Sequence, residues 1–343
     1  MRRREMLIAL GVFSWSGWAR VHAADWLSLM PAFGQSMPPV TTALAFAPDG
    51  RRLAAGGDDH LIRIIDLATR QEVARIDGHQ DWVRTVQFSP DGSQLASAGN
   101  DGRICLRPAS SPWTVRPLQT PMPAIAALVY QPSGDGLVAV GFQPEVLLLE
   151  ANGSRRQTIG CDCSDLRAVT FAGDGKPLLV AGRSGSLYVI DASSGRVLDQ
   201  PQLHRRPIRG LAAVPDSSLA ISIGEDGRIV AYDVAQNDVY RQWQLEGTKL
   251  TCIAAIDALR FVVGGTDDVV RVFDLQHDDP QAELAGHRGT ISALAASNEL
   301  IVSAGFDATL RFWPLRATSP LQEARLPADE EPVVRTSALP ADQ

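Results

Sequence analysis

The chain is poor in lysine and in long apolar runs, and each shortage excludes a class of function. Only two of its 343 residues are lysine, and the formal net charge is −7. Proteins that bind nucleic acids need clustered basic residues to neutralise phosphates, so this acidic composition argues against such partners. Beyond residue 23 no apolar run is long enough to cross a bilayer. We therefore expect no nucleic acid as a partner and no membrane span beyond residue 23.

Short motifs that carry enzymatic chemistry are also missing. The chain contains no Gly-x-Ser-x-Gly elbow, phosphate-binding glycine loop, zinc-binding helix or calcium-loop spacing. The pairs Asp58-Asp59 and Asp267-Asp268 leave a cation site open as an alternative to solvated loop carboxylates. We otherwise expect no catalytic residue, no cofactor and no metal.

Cysteine is scarce, with four residues in the whole chain. Cys105 and Cys252 fall within apolar patterns and are expected to be small buried side chains. Cys161 and Cys163 lie in a predicted connection, where a strained disulfide, a redox site and an incidental pair all remain open. Haem attachment would require Cys-x-x-Cys-His, which is absent.

The N-terminus has the pattern of an export signal. Residues 2–4 are arginine, residues 6–19 are largely apolar, and Val21-His22-Ala23 is a small-residue cleavage pattern. This predicts a signal over residues 1–23, cleavage near Ala23, and a periplasmic or secreted chain. Residues 1–23 carry a net charge of +3, so the remaining chain carries about −10. The Arg3-Arg4 pair resembles a twin-arginine signal; the general secretory route and an uncleaved anchor stay open.

Seven glycines recur at intervals of 40 to 42 residues, which indicates a chain built from repeated supersecondary units. They are Gly57, Gly99, Gly141, Gly182, Gly224, Gly265 and Gly305. The positions five and seven residues after each glycine are apolar, as in Ile62 and Ile64, which is typical of one buried face of a β-strand. An apolar strand and a tight turn such as Pro48-Asp49-Gly50 precede the glycine. A more polar strand follows, so each unit is predicted to contain four strands.

Four strands per unit, with Gly-His pairs and a Trp-Asp-like position, resemble the WD-repeat (WD40) β-propeller family. The dipeptide has decayed, reading Ile65-Asp66 in the first unit and Trp313-Pro314 in the last. The resemblance covers about residues 40–327 and implies an all-β, seven-bladed β-propeller of four-stranded antiparallel blades. Residues 24–39 would form an N-terminal lead-in segment, and residues 328–343 a flexible acidic C-terminal tail.

The resemblance also carries over the family's structural tetrad of His, Ser or Thr, Asp and Trp. The matching residues are His287, Ser303, Asp307 and Trp313 in the last unit, His79, Ser97 and Asp101 in the second, and His204, Ser222 and Asp226 in the fifth. Arg107 and Tyr232 replace tryptophan in the second and fifth units, and the third unit, with Gln143, lacks the set. These histidines are therefore expected to belong to hydrogen-bond networks rather than to a catalytic site.

Two segments compete to supply the outermost strand of the last blade. Residues 26–30 precede the first repeat at the offset that the family commonly uses. Residues 321–326 follow Trp313 much as residues 71–76 follow Ile65. We expect the C-terminal segment to close the ring, with the N-terminal segment lying against the same edge.

One face of the predicted disc carries the candidate binding site. Alignment of the opening strands brings Arg84, Arg167 and Arg209 into one column near the channel entrance, with Trp82 beside it. Tryptophan and arginine are enriched at the centres of protein interfaces. An alternative is that each arginine pairs with a loop carboxylate of an adjacent blade. We predict that an acidic segment of a partner protein binds to this face.

The signal pattern and the resemblance together predict an exported, non-enzymatic scaffold or binding module for other proteins. Two alternatives remain open. The first is a periplasmic propeller enzyme or cofactor carrier of the quinoprotein, lactonase or haem-binding type. The second is an assembly factor of the envelope. The identity of the partner and the oligomeric state do not follow from the sequence.

Overall fold

The computed structural model describes residues 20–22, 25–31, 37–111, 113–160, 165–172 and 175–315, and these residues form strands and loops without any helix. Within these ranges there is accordingly no helix that could cross a membrane. The strands form seven sheets, each containing an antiparallel set of four. The sheets are the blades of a seven-bladed β-propeller, which confirms the predicted fold class and blade count.

Within a blade, successive strands run from the innermost to the outermost position. Two strands, β1 (Arg20–His22) and β2 (Asp25–Ser28), precede the first blade. Blade 1 contains β3 (Thr41–Phe46), β4 (Arg52–Gly57), β5 (Ile62–Asp66) and β6 (Gln71–Ile76), and blade 2 contains β7 (Val83–Phe88), β8 (Gln94–Gly99), β9 (Arg103–Pro108) and β10 (Arg116–Gln119). Blade 3 contains β11 (Ile125–Tyr130), β12 (Gly136–Gly141), β13 (Glu145–Glu150) and β14 (Arg155–Gly160), and blade 4 contains β15 (Leu166–Phe171), β16 (Pro177–Gly182), β17 (Leu187–Asp191) and β18 (Val197–Asp199).

The remaining three blades follow the same order. Blade 5 contains β19 (Ile208–Ala213), β20 (Leu219–Gly224), β21 (Arg228–Asp233) and β22 (Asp238–Gln244). Blade 6 contains β23 (Leu250–Ala255), β24 (Arg260–Gly265), β25 (Val269–Asp274) and β26 (Ala282–Ala285), and blade 7 contains β27 (Ile291–Ala296), β28 (Leu300–Gly305) and β29 (Thr309–Pro314) together with β2.

The N-terminal strand β2 closes the ring. It pairs antiparallel with β29, with Asp25 opposite Phe312 and Ser28 opposite Thr309. The prediction that residues 321–326 would supply this strand was therefore wrong, and those residues lie outside the described ranges. The physical reason is the alternation of the N-terminal segment: Leu27 and Leu29 are buried in the core between blades 7 and 1, while Trp26, Ser28 and Met30 are exposed. Part of the predicted lead-in segment is thus a blade strand.

Strand β1 adds a fifth strand to blade 6, because its backbone pairs in parallel with β26. These three residues fall within the predicted export signal. The N-terminal segment therefore runs along the outer edges of two successive blades, first blade 6 and then blade 7.

The hydrophobic core is divided among the blade interfaces. Seven clusters of buried side chains each combine residues from two successive blades, for example Ile64 of blade 1 with Leu95 of blade 2. Between blades 5 and 6, Trp243 meets the ring of Phe261 edge-on, at 5.4 Å between centroids. Because every blade packs only on its neighbours, the centre of the disc is left free for a channel.

Candidate functional site

The innermost strand of every blade carries a β-bulge at its second residue. In blade 1, for example, the pairing register shifts between Thr41 and Ala43, and the other six blades shift at the equivalent position. A bulge redirects the side chain of its extra residue. The seven bulged residues all line one cavity of about 520 Å³ at the mouth of the channel: Thr42, Arg84, Ala126, Arg167, Arg209, Thr251 and Ser292. The structure thus brings the three aligned arginines to one opening.

Three bulged residues, Thr251, Ser292 and Thr42 of blades 6, 7 and 1, form what we call the hydroxyl arc. Each hydroxyl donates to a backbone carbonyl of the next blade. The distances are 2.5 Å from Thr251 Oγ1 to Ile291 O and 2.6 Å from Ser292 Oγ to Thr41 O. Thr42 donates in the same way to the carbonyl of Val83. The hydroxyl arc therefore links four consecutive blades, including the pair at which the ring closes.

Arg84, Arg167 and Arg209 of blades 2, 4 and 5 form what we call the arginine arc. Arg167 donates from Nε and Nη2 to the Asp165 carboxylate, at 2.9 and 2.7 Å. Arg209 donates from Nε to Glu225 Oε1 at 2.6 Å. Both carboxylates belong to the arginine's own blade, so the alternative of pairing with an adjacent blade is wrong for these two residues.

Arg84 differs from the other two because it has no carboxylate within ion-pairing distance among the described residues. Its Nε donates to Asn100 Oδ1 at 2.9 Å, and its guanidinium carbon lies 5.1 Å from the centroid of the Trp82 ring. Burial lowers the pKa of Arg84, Asp81 opposes that effect, and the like charges of Arg167 and Arg209 reinforce it. This cation is therefore partly desolvated and repelled by its neighbours.

Aromatic side chains are exposed on the same face. Trp82 is 42% exposed, Phe142 41% and Phe306 61%. The Arg167 guanidinium lies 5.9 Å from the centroid of the Phe142 ring. Our sequence analysis missed Phe142 and Phe306, although each directly follows one of the repeated glycines. That position is otherwise polar or charged: Asp58, Asn100, Arg183, Glu225 and Thr266.

The tetrad of blade 7 forms a continuous donor chain. Trp313 Nε1 donates to Ser303 Oγ at 2.8 Å, and the Ser303 hydroxyl lies 2.7 Å from His287 Nε2. His287 Nδ1 lies 3.0 Å from Asp307 Oδ1. Because a carboxylate only accepts hydrogen bonds, Nδ1 carries the proton and Nε2 accepts from serine. All four residues are committed to holding the blade together.

Blades 2 and 5 contain the same His-Ser-Asp contacts without the tryptophan. The Nε2 atoms of His79 and His204 lie 2.8 Å from the hydroxyls of Ser97 and Ser222, and their Nδ1 atoms lie 3.0 and 2.9 Å from the carboxylates of Asp101 and Asp226. In place of tryptophan, the Tyr232 hydroxyl donates to Asp199 of blade 4. Arg107 is buried, and its guanidinium has no hydrogen-bond partner among the described residues. Gln143 of blade 3 is exposed and takes part in no such network.

Blades 1 and 6 use a different network that the sequence analysis did not find. Arg63 binds both carboxylate oxygens of Asp59 and lies 3.5 Å from Glu72. Arg271 binds Asp267 at 2.6 Å and Glu283 at 3.1 Å in the same arrangement. Because Asp59 and Asp267 already bind a guanidinium, they do not form the cation site that was left open. The described residues contain no group of three or more His, Cys, Asp and Glu side chains placed to hold a metal ion.

The blade 1 network also holds the N-terminal segment. Arg63 Nη2 donates to the carbonyl of Met30 at 3.0 Å, and Arg75 Nη1 donates to the carbonyl of Pro31 at 3.2 Å. Arg75 is itself fixed by Glu72, at 2.6 Å from Nε to Oε1. The residues that follow the closing strand are thus anchored to blade 1 through their backbone.

The two cysteines that the structure describes, Cys105 and Cys252, have the environment of unreactive thiols. Cys105 is buried and Cys252 partly buried, and burial raises the pKa of both thiols, to about 12 for Cys252. Thiols in such an environment remain protonated and unreactive. Cys161 and Cys163 lie outside the described ranges.

Comparison with known proteins supports the reading of the repeats. Residues 33–66, 70–107 and 278–314 match the family model "WD domain, G-beta repeat". SIR4-interacting protein SIF2 of Saccharomyces cerevisiae is 25% identical over 45% of this chain, and both transducin-like enhancer protein 2 of Mus musculus and protein groucho of Drosophila melanogaster are 29% identical over 36%. The matches span 32%, 17% and 18% of those three proteins, so the chain corresponds to about a third or less of their length. This chain is thus a seven-bladed β-propeller in which three segments match the WD repeat.

Proposed function

We propose that this chain is an exported, non-catalytic module that binds another protein on the face around the channel mouth. One observation carries the proposal: seven equivalent bulges direct their side chains to one opening, three of these side chains are arginines, and two of the arginines lie beside exposed aromatic rings. Arginine and aromatic side chains provide much of the binding energy at protein interfaces. The hydrogen bonds that occupy the buried histidines support the non-catalytic part of the proposal.

Similarity to the curated relatives supports a protein-binding role. The name of the yeast relative states that it interacts with another protein, SIR4. The relatives are WD-repeat proteins, and propellers built from WD repeats commonly act as scaffolds that bind other proteins. We carry over to this chain only the general role of binding a protein, because the match covers a small part of each relative.

The partner segment that we propose is acidic. Positive side chains at the mouth of a chain with net charge −7 would orient an approaching acidic segment, and added salt would weaken this effect. Trp82 would serve as the apolar anchor beside the charges. Binding should therefore fall as the ionic strength rises.

Export remains part of the proposal because of the signal-like residues 1–23. Cleavage near Ala23 would also remove β1 from the edge of blade 6. N-terminal sequencing of the protein recovered from the envelope or medium tests this directly: a chain beginning near Ala24 supports export. Recovery of an intact N-terminus from the cytoplasm would contradict it.

The binding face is tested by replacing Arg84, Arg167 and Arg209 with serine. A partner captured from the envelope fraction at low salt should be lost, while the melting temperature stays nearly unchanged. The matched control changes three exposed arginines elsewhere on the disc, Arg51, Arg116 and Arg196, to serine. Equal loss of capture in both variants would show that only the total charge matters. A sharp fall in melting temperature in the first variant would show that the arginine arc is structural.

A further inference from the structure

The guanidinium of Arg84 has one edge without a partner. Its Nε donates to Asn100, but Nη1 and Nη2 make no hydrogen bond to any described residue. Arg167 and Arg209, by contrast, both use Nε and Nη2 to contact a carboxylate. Within the arginine arc, Arg84 alone thus presents a pair of adjacent N–H donors at the channel mouth.

Arg84 is also held in a fixed orientation. The backbone N–H of Asn100 donates to the carbonyl of Trp82 at 3.0 Å, Asn100 Oδ1 accepts from Arg84 Nε, and the guanidinium lies over the Trp82 ring. These three residues form a closed unit built on the bulge of β7. Because two contacts already orient the guanidinium, little conformational freedom remains to be lost on binding.

The charges around Arg84 favour an incoming anion. Arg167 and Arg209 are the like charges that face it, and each has its own carboxylate. Asp81 is the acidic group that attracts Arg84 electrostatically. Its Oδ1 accepts from the backbone N–H of Trp82 at 2.6 Å, and Asp81 makes no ion pair with Arg84. A carboxylate at the Nη edge would therefore form an ion pair with a partly desolvated cation that has no carboxylate partner among the described residues.

We propose that Arg84 binds the side-chain carboxylate of a single aspartate or glutamate in the partner segment through its Nη1–Nη2 edge. This inference rests on the proposed function, since it assumes that the mouth face is the binding face. The neighbouring partner residue is apolar or aromatic and packs between Trp82, which lies beside Arg84, and Phe142, which lies beside Arg167. Arg167 and Arg209 shape the site while bound to their own carboxylates.

The fork geometry distinguishes this proposal from simple charge attraction. Arginine binds a carboxylate with two parallel N–H···O bonds, whereas lysine acts as a point charge. Arg84→Lys preserves the charge and removes the fork. It should therefore weaken binding about as much as a neutral substitution would.

The test uses the full chain and acetylated, amidated tetrapeptides, followed by NMR of the Arg84 Nε–H and Trp82 indole signals. Gly-Phe-Asp-Gly should shift both signals at millimolar concentration, and Gly-Phe-Asn-Gly should bind at least about fivefold more weakly. Arg84→Lys, followed through the Trp82 indole, should lose about tenfold in affinity for the aspartate peptide. Arg183→Lys, on an exposed loop of the same face, is the matched control and should lose less than about twofold.

Several results would overturn the proposal. They are equal affinity for the two peptides, full affinity in Arg84→Lys, or no shift of either signal with any peptide. Tighter binding of a phosphoserine peptide would identify a phosphate as the ligand instead. Tighter binding of Gly-Gly-Gly-Phe with a free C-terminus would identify a terminal carboxylate. If the triple serine variant loses the captured partner but Arg84→Lys retains it, the proposed function stands and this inference fails.

Discussion

Around the channel mouth, blades 6, 7 and 1 place a hydroxyl residue at the bulged position, whereas blades 2, 4 and 5 place an arginine there. The hydroxyls are short enough to reach a carbonyl of the next blade, and they do so on both sides of the closing blade. The arginines instead bond within their own blade or stack on exposed aromatic rings. The same β-bulge thus has two uses. In the hydroxyl arc it places a side chain that links successive blades, and in the arginine arc it places a charged side chain at the channel mouth.

The same division extends to the networks behind the mouth. Blades 1 and 6, on either side of blade 7, contain an Asp-Arg-Glu network, while blades 2 and 5, at the ends of the arginine arc, contain His-Ser-Asp networks. In blade 1 that network also holds the N-terminal segment. Blade 7 is the exception on the closing side, because it contains the complete His-Ser-Asp-Trp network. If the comparison is right, substitutions on the closing side change stability and substitutions in the arginine arc change binding.

The largest loss of stability is expected from Arg63→Met. The side chain is 1% exposed, and its removal leaves Asp59 buried without its cation and Glu72 paired with Arg75 alone. Removing one partner of a buried ion pair costs about 3–5 kcal/mol, which urea unfolding would measure. Arg271→Met is the matched control, because the Arg271 side chain is more exposed and, among the described residues, makes no hydrogen bond to the N-terminal segment. Equal losses in the two variants would show that neither the deeper burial of Arg63 nor its contact with the N-terminal segment adds to the stability.

A smaller loss is expected from Asp307→Ala, which would leave His287 without its acceptor. Burial raises the pKa of the Asp307 carboxyl, but hydrogen bonds from His287, the Arg288 backbone and Thr309 outweigh burial and hold it well below its ordinary range. Loss of one partner from a buried network costs about 1–3 kcal/mol. Gln143→Ala, in the loop of blade 3 that lacks a tetrad, should change stability by less than about 0.5 kcal/mol. Similar melting shifts for the two variants would contradict the comparison.

The repeat architecture could be predicted from the sequence because it depends on short patterns that recur in every unit. The glycine period and the apolar columns recur in each unit, so errors in one repeat are corrected by the other six. The closing strand could not be chosen in the same way. Leu27 and Leu29 alternate as a strand should, but their burial depends on packing against Leu53 of blade 1, a contact that no local pattern specifies.

In the candidate site, the positions of the arginines could be predicted from the sequence, but their hydrogen-bond partners could not. Alignment placed the three arginines in one column, and they line one opening because their strands are equivalent. Their partners depend on loops with no common pattern: Asn100 and Glu225 follow the repeated glycine, whereas Asp165 precedes a strand. The bulges also escaped prediction, since a bulge is defined by the register of the partner strand.

Acidification should destabilise the protein through the histidines of blades 2 and 5. Burial lowers the pKa of His79 and His204 below the ordinary value of 6.5, although Asp101 and Asp226 oppose it. The unfolded chain therefore binds protons that the native state does not, so this stability is complete above about pH 6.5 and is lost as the pH falls below it. Urea unfolding between about pH 7.5 and 5.5 measures the loss, and the double variant with glutamine at both positions should show a flatter profile. A stability that rises on acidification over this range would contradict the assignment.

The smallest predicted effect compares the two arcs directly. Ser292→Ala removes the hydroxyl that donates to Thr41 across the closing interface and should cost about 0.5–1.5 kcal/mol, with no effect on peptide binding at the arginine arc. Arg84 occupies the same bulged position in blade 2. Arg84→Ala should change stability by less than Ser292→Ala does, and it should lower the affinity for the aspartate peptide about tenfold, as Arg84→Lys does. Urea unfolding and the NMR titration give both quantities for both variants. If Ser292→Ala leaves stability unchanged, the hydroxyl arc does not hold the ring; if Arg84→Ala destabilises the fold more than Ser292→Ala, the arginine belongs to the structure rather than to the binding face.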